Sequence, residues 1–142
     1  MLKLSMLEKP SVLTCSSLVE AARKARKLSY SPYSHFAVGA AVLDVNGKMT
    51  TGTNVENSSF SLAMCAERIA LFRAHMEGLD DILAIAVSAG AGIDVKPCGA
   101  CLQVIMEMAP TTWLVLDDGA GGYKSYTIDE LYPHPFRLKE QH

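Results

Sequence analysis

A chain of 142 residues that is 49% hydrophobic and 20% charged has the balance of one globular domain with a sizeable core. Its net charge is -2 and no cationic track stands out, which argues against a nucleic-acid polymer as partner and favours a small or neutral ligand. The first ten residues carry charges and no uninterrupted apolar core, and no run reaches the length of a membrane span. A soluble, cytoplasmic protein without a membrane partner is therefore expected, and in that reducing compartment its four cysteines read as metal ligands or free thiols.

A single domain over 1–142 is expected, with residues 1–14 as a loose lead-in and 133–142 as a tail. Ser11, Thr14, Ser16 and Ser17 offer helix caps. Leu18, Val19, Ala22 and Ala25 then repeat at helical spacing beside basic Arg23, Lys24, Arg26 and Lys27, which predicts an amphipathic helix ending near Leu28. A turn-rich connector, Ser29 to Ser34, leads into a buried strand over Phe36 to Val45. Asn46-Gly47 signals a hairpin, and Lys48 to Thr53 returns as the second strand. The polar stretch Asn54 to Ser61 reads as loop. A helix is expected from Met64 or Cys65 to a stop at Gly78, then an apolar strand over Ile82 to Ala89. A loop ending at Pro97 precedes a helix from about Cys98 to Pro110. Strands over Thr112 to Leu116 and Tyr123 to Thr127 follow, and Thr127-Ile128-Asp129-Glu130 has capping-box spacing for a short helix. Helices between strands require crossovers, while the hairpin is antiparallel, so the sheet is mixed and covered on both faces.

The chemistry concentrates at two helix starts. Cys98-x-x-Cys101 alone could be a redox pair, half of a structural zinc site or part of a catalytic one. Cys65 and Glu67 shift the balance. Three thiolates fill three corners of a zinc tetrahedron and leave the fourth for water, whereas a structural site normally has four protein ligands. Cys15 stands apart at the start of the first helix and reads as a bystander thiol. A first ligand, any residue, Glu, and then Pro-Cys-x-x-Cys is the signature of zinc nucleobase deaminases, and the three-cysteine variant fits Cys65-Ala66-Glu67 and Pro97-Cys98-Gly99-Ala100-Cys101 at every named position.

Further stretches extend the match: Pro32-Tyr33-Ser34-His35-Phe36-Ala37-Val38-Gly39-Ala40-Ala41, Asn54-Val55-Glu56-Asn57, Arg68 after Glu67, and Gln103 after Cys101. From about Ser29 to Phe136 the chain resembles the small, homotetrameric cytidine deaminases of the three-cysteine type. The resemblance implies an α/β fold, a three-layer α/β/α sandwich around a mixed five-stranded sheet. It implies one zinc ion (Zn2+) per subunit on Cys65, Cys98 and Cys101, with Glu67 moving protons between water, ring N3 and the leaving ammonia. Cytidine and deoxycytidine would become uridine and deoxyuridine, in pyrimidine salvage. Arg68 would donate hydrogen bonds to the ligand sulfurs and, with the positive ends of two helix dipoles, offset the thiolate charge.

By the same resemblance Asn54 and Glu56 hold ribose hydroxyls, Phe36 packs against the base, the Ala66 backbone meets its polar edge, and Phe136 reaches a neighbouring subunit's site. Read as residues alone, Asn54 and Glu56 could be turn formers, Phe36 core and Phe136 a tail anchor. Three positions depart from the family pattern: Leu102 where arginine is usual, Phe60 where tyrosine is usual, and Tyr132 in place of a common leucine. They leave open a modified cytosine nucleoside, such as blasticidin S, as the alternative substrate.

Overall fold

The computed structural model describes residues 6–138, so the expected lead-in and tail lie partly outside the described residues. Helix α1 spans Val12–Ala25. Of the four candidate caps Ser11 is the one used, its hydroxyl oxygen accepting from the Thr14 N–H at 3.1 Å, so the last three residues of the expected lead-in are already helical. A 3-10 turn at Arg26–Leu28 closes it.

Strand β1, Gly39–Asp44, starts later than its apolar run. The Val38 N–H donates to the Asn54 side chain and the Phe36 carbonyl accepts from it, so this backbone is taken up before the ladder begins. Strand β2 is Met49–Thr53. Between them the Gly47 N–H donates to the Asp44 carbonyl at 3.2 Å and Gly47 sits at φ +86°, while the Asp44 N–H donates to the Lys48 carbonyl at 2.9 Å. The loop therefore holds three residues with a left-handed glycine last, a longer turn than an Asn-Gly pair alone implies.

Helix α2 (Ala66–Met76), strand β3 (Ile82–Ser88), helix α3 (Gly99–Met108) and strands β4 (Trp113–Asp117) and β5 (Tyr123–Thr127) follow. Helix α4, Ile128–Leu131, carries the expected capping box between Thr127 and Glu130. The strands form one five-stranded sheet in the order β2-β1-β3-β4-β5. Strands β3 and β4 are parallel and every other pair is antiparallel, as a crossover through α3 demands.

Alternation along the central strands divides the core. Ala40, Val42, Ile85, Val87, Leu114 and Leu116 face the layer that contains α2 and α3. Ala41, Ala84, Ala86 and Val115 face α1, which contributes Cys15, Leu18, Val19 and Ala22. Helices thus cover both faces, giving the three-layer α/β/α sandwich. Small residues let the helices come close. A Cβ on Gly39 would lie 2.1 Å from the Ala22 carbonyl oxygen of α1, and one on Gly52 would lie 2.4 Å from the Ala70 nitrogen of α2.

The α1 layer is also locked by charge. Asp117, 2% exposed at the end of β4, accepts from Arg23 Nε at 2.9 Å and Nη2 at 3.1 Å, from the Ser88 hydroxyl at 2.6 Å and from the Gly119 N–H at 2.9 Å. Burial pushes this carboxyl up, but Arg23, Ser88 and Gly119 outweigh it and hold the carboxyl below its ordinary value. No helix among the described residues is long and apolar enough to cross a membrane.

Candidate metal centre and its rim

Cys65 is the N-cap of α2 and Cys98 the N-cap of α3, while Cys101 lies in the first turn of α3. Neither cap sulfur is used to cap its own helix. The first-turn amides of both helices have no carbonyl partners within them, and their partial positive charge is directed towards the sulfurs. The three sulfurs lie within 4.8 Å of one another, with Cys65 and Cys98 Sγ 3.8 Å apart. Zinc–sulfur bonds of about 2.3 Å give a tetrahedral sulfur–sulfur edge of about 3.8 Å, so the cluster has the size zinc needs. Thiolate donors also select zinc-type metals over magnesium or calcium. Among the described residues no fourth His, Cys, Asp or Glu joins the group.

The surroundings fit an anionic sulfur cluster. Arg68 Nη2 donates to Cys65 Sγ at 3.4 Å, and the Arg68 guanidinium is raised above its ordinary value by that bond. A hydrogen bond from the Cys101 thiol, joined by Arg68, holds Cys65 down at about 5. The same bond raises Cys101, which burial and the neighbouring Glu67 raise further. Three thiolates leave a doubly charged ion with a net charge of -1, which Arg68 and the two helix ends offset. Glu67, in the first turn of α2, is 4% exposed, and burial pushes its carboxyl up to about 7. That places a proton carrier beside the sulfurs with a pKa near neutrality. Leu102 is half-buried and packs against the apolar core beside Cys101, so no charge stands there.

The expected loop at Asn54 to Ser61 begins as an extended strip. Val55 bridges Tyr30 in parallel and Met64 in antiparallel fashion. This ties the strip to the residue before the Cys65 cap on one side and to the connector after α1 on the other. Period-two geometry turns Asn54 and Glu56 the same way, onto that connector. Asn54 Nδ2 donates to the Phe36 carbonyl at 2.7 Å, while its Oδ1 accepts from the Val38 N–H at 2.9 Å and from the Ser29 hydroxyl. One amide hydrogen remains for a ligand. Glu56 Oε1 accepts from the Tyr33 and Ser34 N–H groups at 3.0 and 3.1 Å, and Oε2 from the Ser34 hydroxyl. The Ser34 contacts chiefly, with the Tyr33 amide, hold this carboxyl below its ordinary value.

Phe36 is 44% exposed, so it lies outside the buried core. Tyr33, Ser34, Glu56, Asn57, Phe60 and Ala63 line a cavity of about 320 Å³, with Phe60 set edge-on to Tyr33 at 6.2 Å between ring centroids. Ala66 is fully buried at the first helical position of α2. Phe136 is 65% exposed, and its backbone is tied to α3: Gln103 Nε2 donates to the Phe136 carbonyl at 3.0 Å and the Tyr132 hydroxyl donates to Gln103 Oε1 at 2.7 Å.

Several partners found here carry no sequence signal of function. Ser29 and Ser34 look like ordinary turn serines, and Tyr132 gains its role from Gln103, which is 29 residues away. The bond to Gln103 is also a concrete consequence of having tyrosine rather than leucine at position 132.

A family model for the cytidine and deoxycytidylate deaminase zinc-binding region matches residues 14–116. A cytidine deaminase of Halalkalibacterium halodurans is 44% identical over 124 residues, covering 87% of this chain and 94% of that protein. The crystal structure of a cytidine deaminase from Burkholderia pseudomallei superimposes with a TM-score of 0.79 at 43% identity, covering 84% of this chain and 97% of that one. A blasticidin-S deaminase of Bacillus cereus is more distant, 30% identical over 124 residues, covering 82% of this chain and 87% of that protein. With a three-thiol cluster of zinc dimensions at two helix starts and a buried glutamate beside it, the chain belongs to the zinc-binding cytidine and deoxycytidylate deaminase family.

Proposed function

We propose that the protein catalyses the hydrolytic deamination of cytidine and deoxycytidine to uridine and deoxyuridine, with release of ammonia. The observation that carries this reading is the buried Glu67 carboxyl beside three thiols that leave one tetrahedral corner open. Cys65, Cys98 and Cys101 would hold a zinc ion, which would supply a Lewis acid able to bring the pKa of a water towards neutrality. Glu67 takes a proton from the attacking water and delivers it to pyrimidine N3, then takes the remaining proton of the hydroxyl added at C4 and passes it to the departing amine. Oxygen adds at C4 and the C4–N bond breaks, so one water enters for each ammonia that leaves. The 44% identity to a cytidine deaminase supports this substrate over blasticidin S, whose deaminase is 30% identical.

The nucleoside would sit across the rim. The Ala66 backbone meets the polar edge of the base, Phe36 packs on its face, and the remaining capacities of Asn54 and Glu56 take sugar hydroxyls. Phe136 of one subunit completes the site of the next in a homotetramer. Exposed Tyr30, Tyr33, Phe36, Val55, Phe60 and Leu62 around the rim support burial between copies. Thiolate ligands suit a reducing cytoplasm and recovered nucleosides suit pyrimidine salvage. The test is a panel of cytidine, deoxycytidine, cytosine, blasticidin S and base-modified cytidines, assayed for ammonia with zinc quantified. The two nucleosides are expected to turn over and free cytosine to lag far behind. Inertness of zinc-loaded protein towards both nucleosides would refute the reading.

A further inference from the structure

Ser34 joins two parts of the rim that differ in chemistry. Its Oγ accepts from the Phe36 N–H at 3.0 Å and donates to Glu56 Oε2. Its own N–H, together with that of Tyr33, donates to Glu56 Oε1. His35, between Ser34 and Phe36, stands at φ +56°, a left-handed conformation that non-glycine residues seldom adopt. The His35 N–H closes the turn onto the Ser31 carbonyl at 3.0 Å. The turn thus points two amides and one hydroxyl at a single carboxylate and presents Phe36 immediately afterwards.

We infer that Ser34 is a positioning residue for nucleoside recognition, its hydroxyl setting the sugar-side carboxylate of Glu56 and the base-side ring of Phe36 in one fixed register. This rests on the proposed role of Glu56 at the sugar. A free glutamate side chain has several rotamers, and a sugar hydroxyl that had to order it would lose binding energy. Three donors on Glu56 remove that freedom before the ligand arrives. With both acceptor positions of Oε1 filled and one of Oε2 taken, a single acceptor position on Oε2 remains for a sugar hydroxyl. Because the same hydroxyl receives the Phe36 N–H, a shift of the carboxylate is also a shift of the aromatic wall.

The test compares wild type, Ser34→Ala, Ser34→Thr and Glu56→Gln, each zinc-quantified, on cytidine and on 2′,3′-dideoxycytidine, which lacks the 2′ and 3′ hydroxyls and keeps the 5′ one. Losing one charge-assisted hydrogen bond should raise the cytidine KM of Ser34→Ala about tenfold with kcat nearly unchanged. Its preference for cytidine over the dideoxynucleoside should fall in proportion. Ser34→Thr keeps a hydroxyl and should restore both values, which a merely structural defect would not allow. If Glu56→Gln loses the preference while Ser34→Ala keeps wild-type KM and preference, the inference is overturned and the sugar-side reading of Glu56 stands. If Glu56→Gln itself keeps the preference, that reading falls and the inference falls with it.

Discussion

The metal corner and the rim proposed to hold the sugar lie next to each other and are built in opposite ways. The corner is carried by the starts of α2 and α3, whose inner faces are sealed into the core by Ala66, Ala70, Leu71, Cys101 and Ile105. Its ligands are positioned by helical main chain, and a helix start cannot shift without the layer beneath it. The rim is made of short connectors cross-linked by side chains: Asn54 to Phe36 and Val38, Glu56 to Tyr33 and Ser34. Its aromatic groups, Phe36 and Phe60, stand exposed. The corner is therefore rigid through burial and the rim through polar contacts, so changes at the two should separate chemistry from recognition.

The sharpest way to break the corner is Cys101→Ala. Removing a buried ligand should abolish stoichiometric zinc and reduce ammonia release to background, as metal analysis and a coupled assay will read. Glu67→Gln should leave the corner intact and remove its proton carrier. We expect kcat to fall by about 10³ with one zinc retained per chain, from steady-state kinetics beside metal analysis. Full activity in this variant would move proton transfer to another group.

Gly52→Ala probes the layer under the corner without touching a ligand. The added Cβ would lie 2.4 Å from the Ala70 nitrogen and 2.7 Å from the Ala66 carbonyl oxygen, so α2 must move. A loss of about 2–3 kcal/mol in urea unfolding is expected, with a fall in activity because α2 carries Cys65 and Glu67. Asp117→Asn acts on the α1 face, through Arg23 and Ser88 rather than through a thiol of the corner, and should cost about 2 kcal/mol at neutral pH with kcat/KM little changed. Its pH dependence has a definite sign. The native Asp117 carboxyl is held below its ordinary value of 3.8, so its stabilisation is full above that value and fades as the pH falls through the lowered one. The stability gap between wild type and variant should therefore narrow below about pH 4, as unfolding followed from pH 7 to pH 3 will show.

The same division explains what could be read in the chain. Helical and strand periods, with the capping box at Thr127, placed the four α-helices and five strands, because burial imposes those periods directly; the start of β1 was blurred where Asn54 captured the Phe36 and Val38 backbone, and the 3-10 turn at Phe60–Leu62 carries no such period. Cys65, Glu67, Cys98 and Cys101 were legible because a helix start converts sequence spacing into spatial spacing. The role of Arg68 came from the family resemblance rather than from spacing, and its contact with Cys65 is three residues apart on one helical turn. Ser34 was not legible, since its partners Glu56 and Phe36 meet only when the strip at Val55 pairs with both Tyr30 and Met64. Nor was the Tyr132 bond to Gln103, which depends on α4 returning to α3.

Both the chemistry and its separation from recognition depend on an open three-thiolate zinc corner with Glu67 beside it. X-ray absorption at the zinc edge of the purified protein tests it most directly. One zinc per chain is expected, with three sulfur neighbours at about 2.3 Å and one oxygen at about 2.0 Å, unchanged in sulfur count by Glu67→Gln and reduced by Cys98→Ala. A zinc surrounded by four sulfur or imidazole ligands, or a protein that binds no zinc while deaminating cytidine, would contradict it.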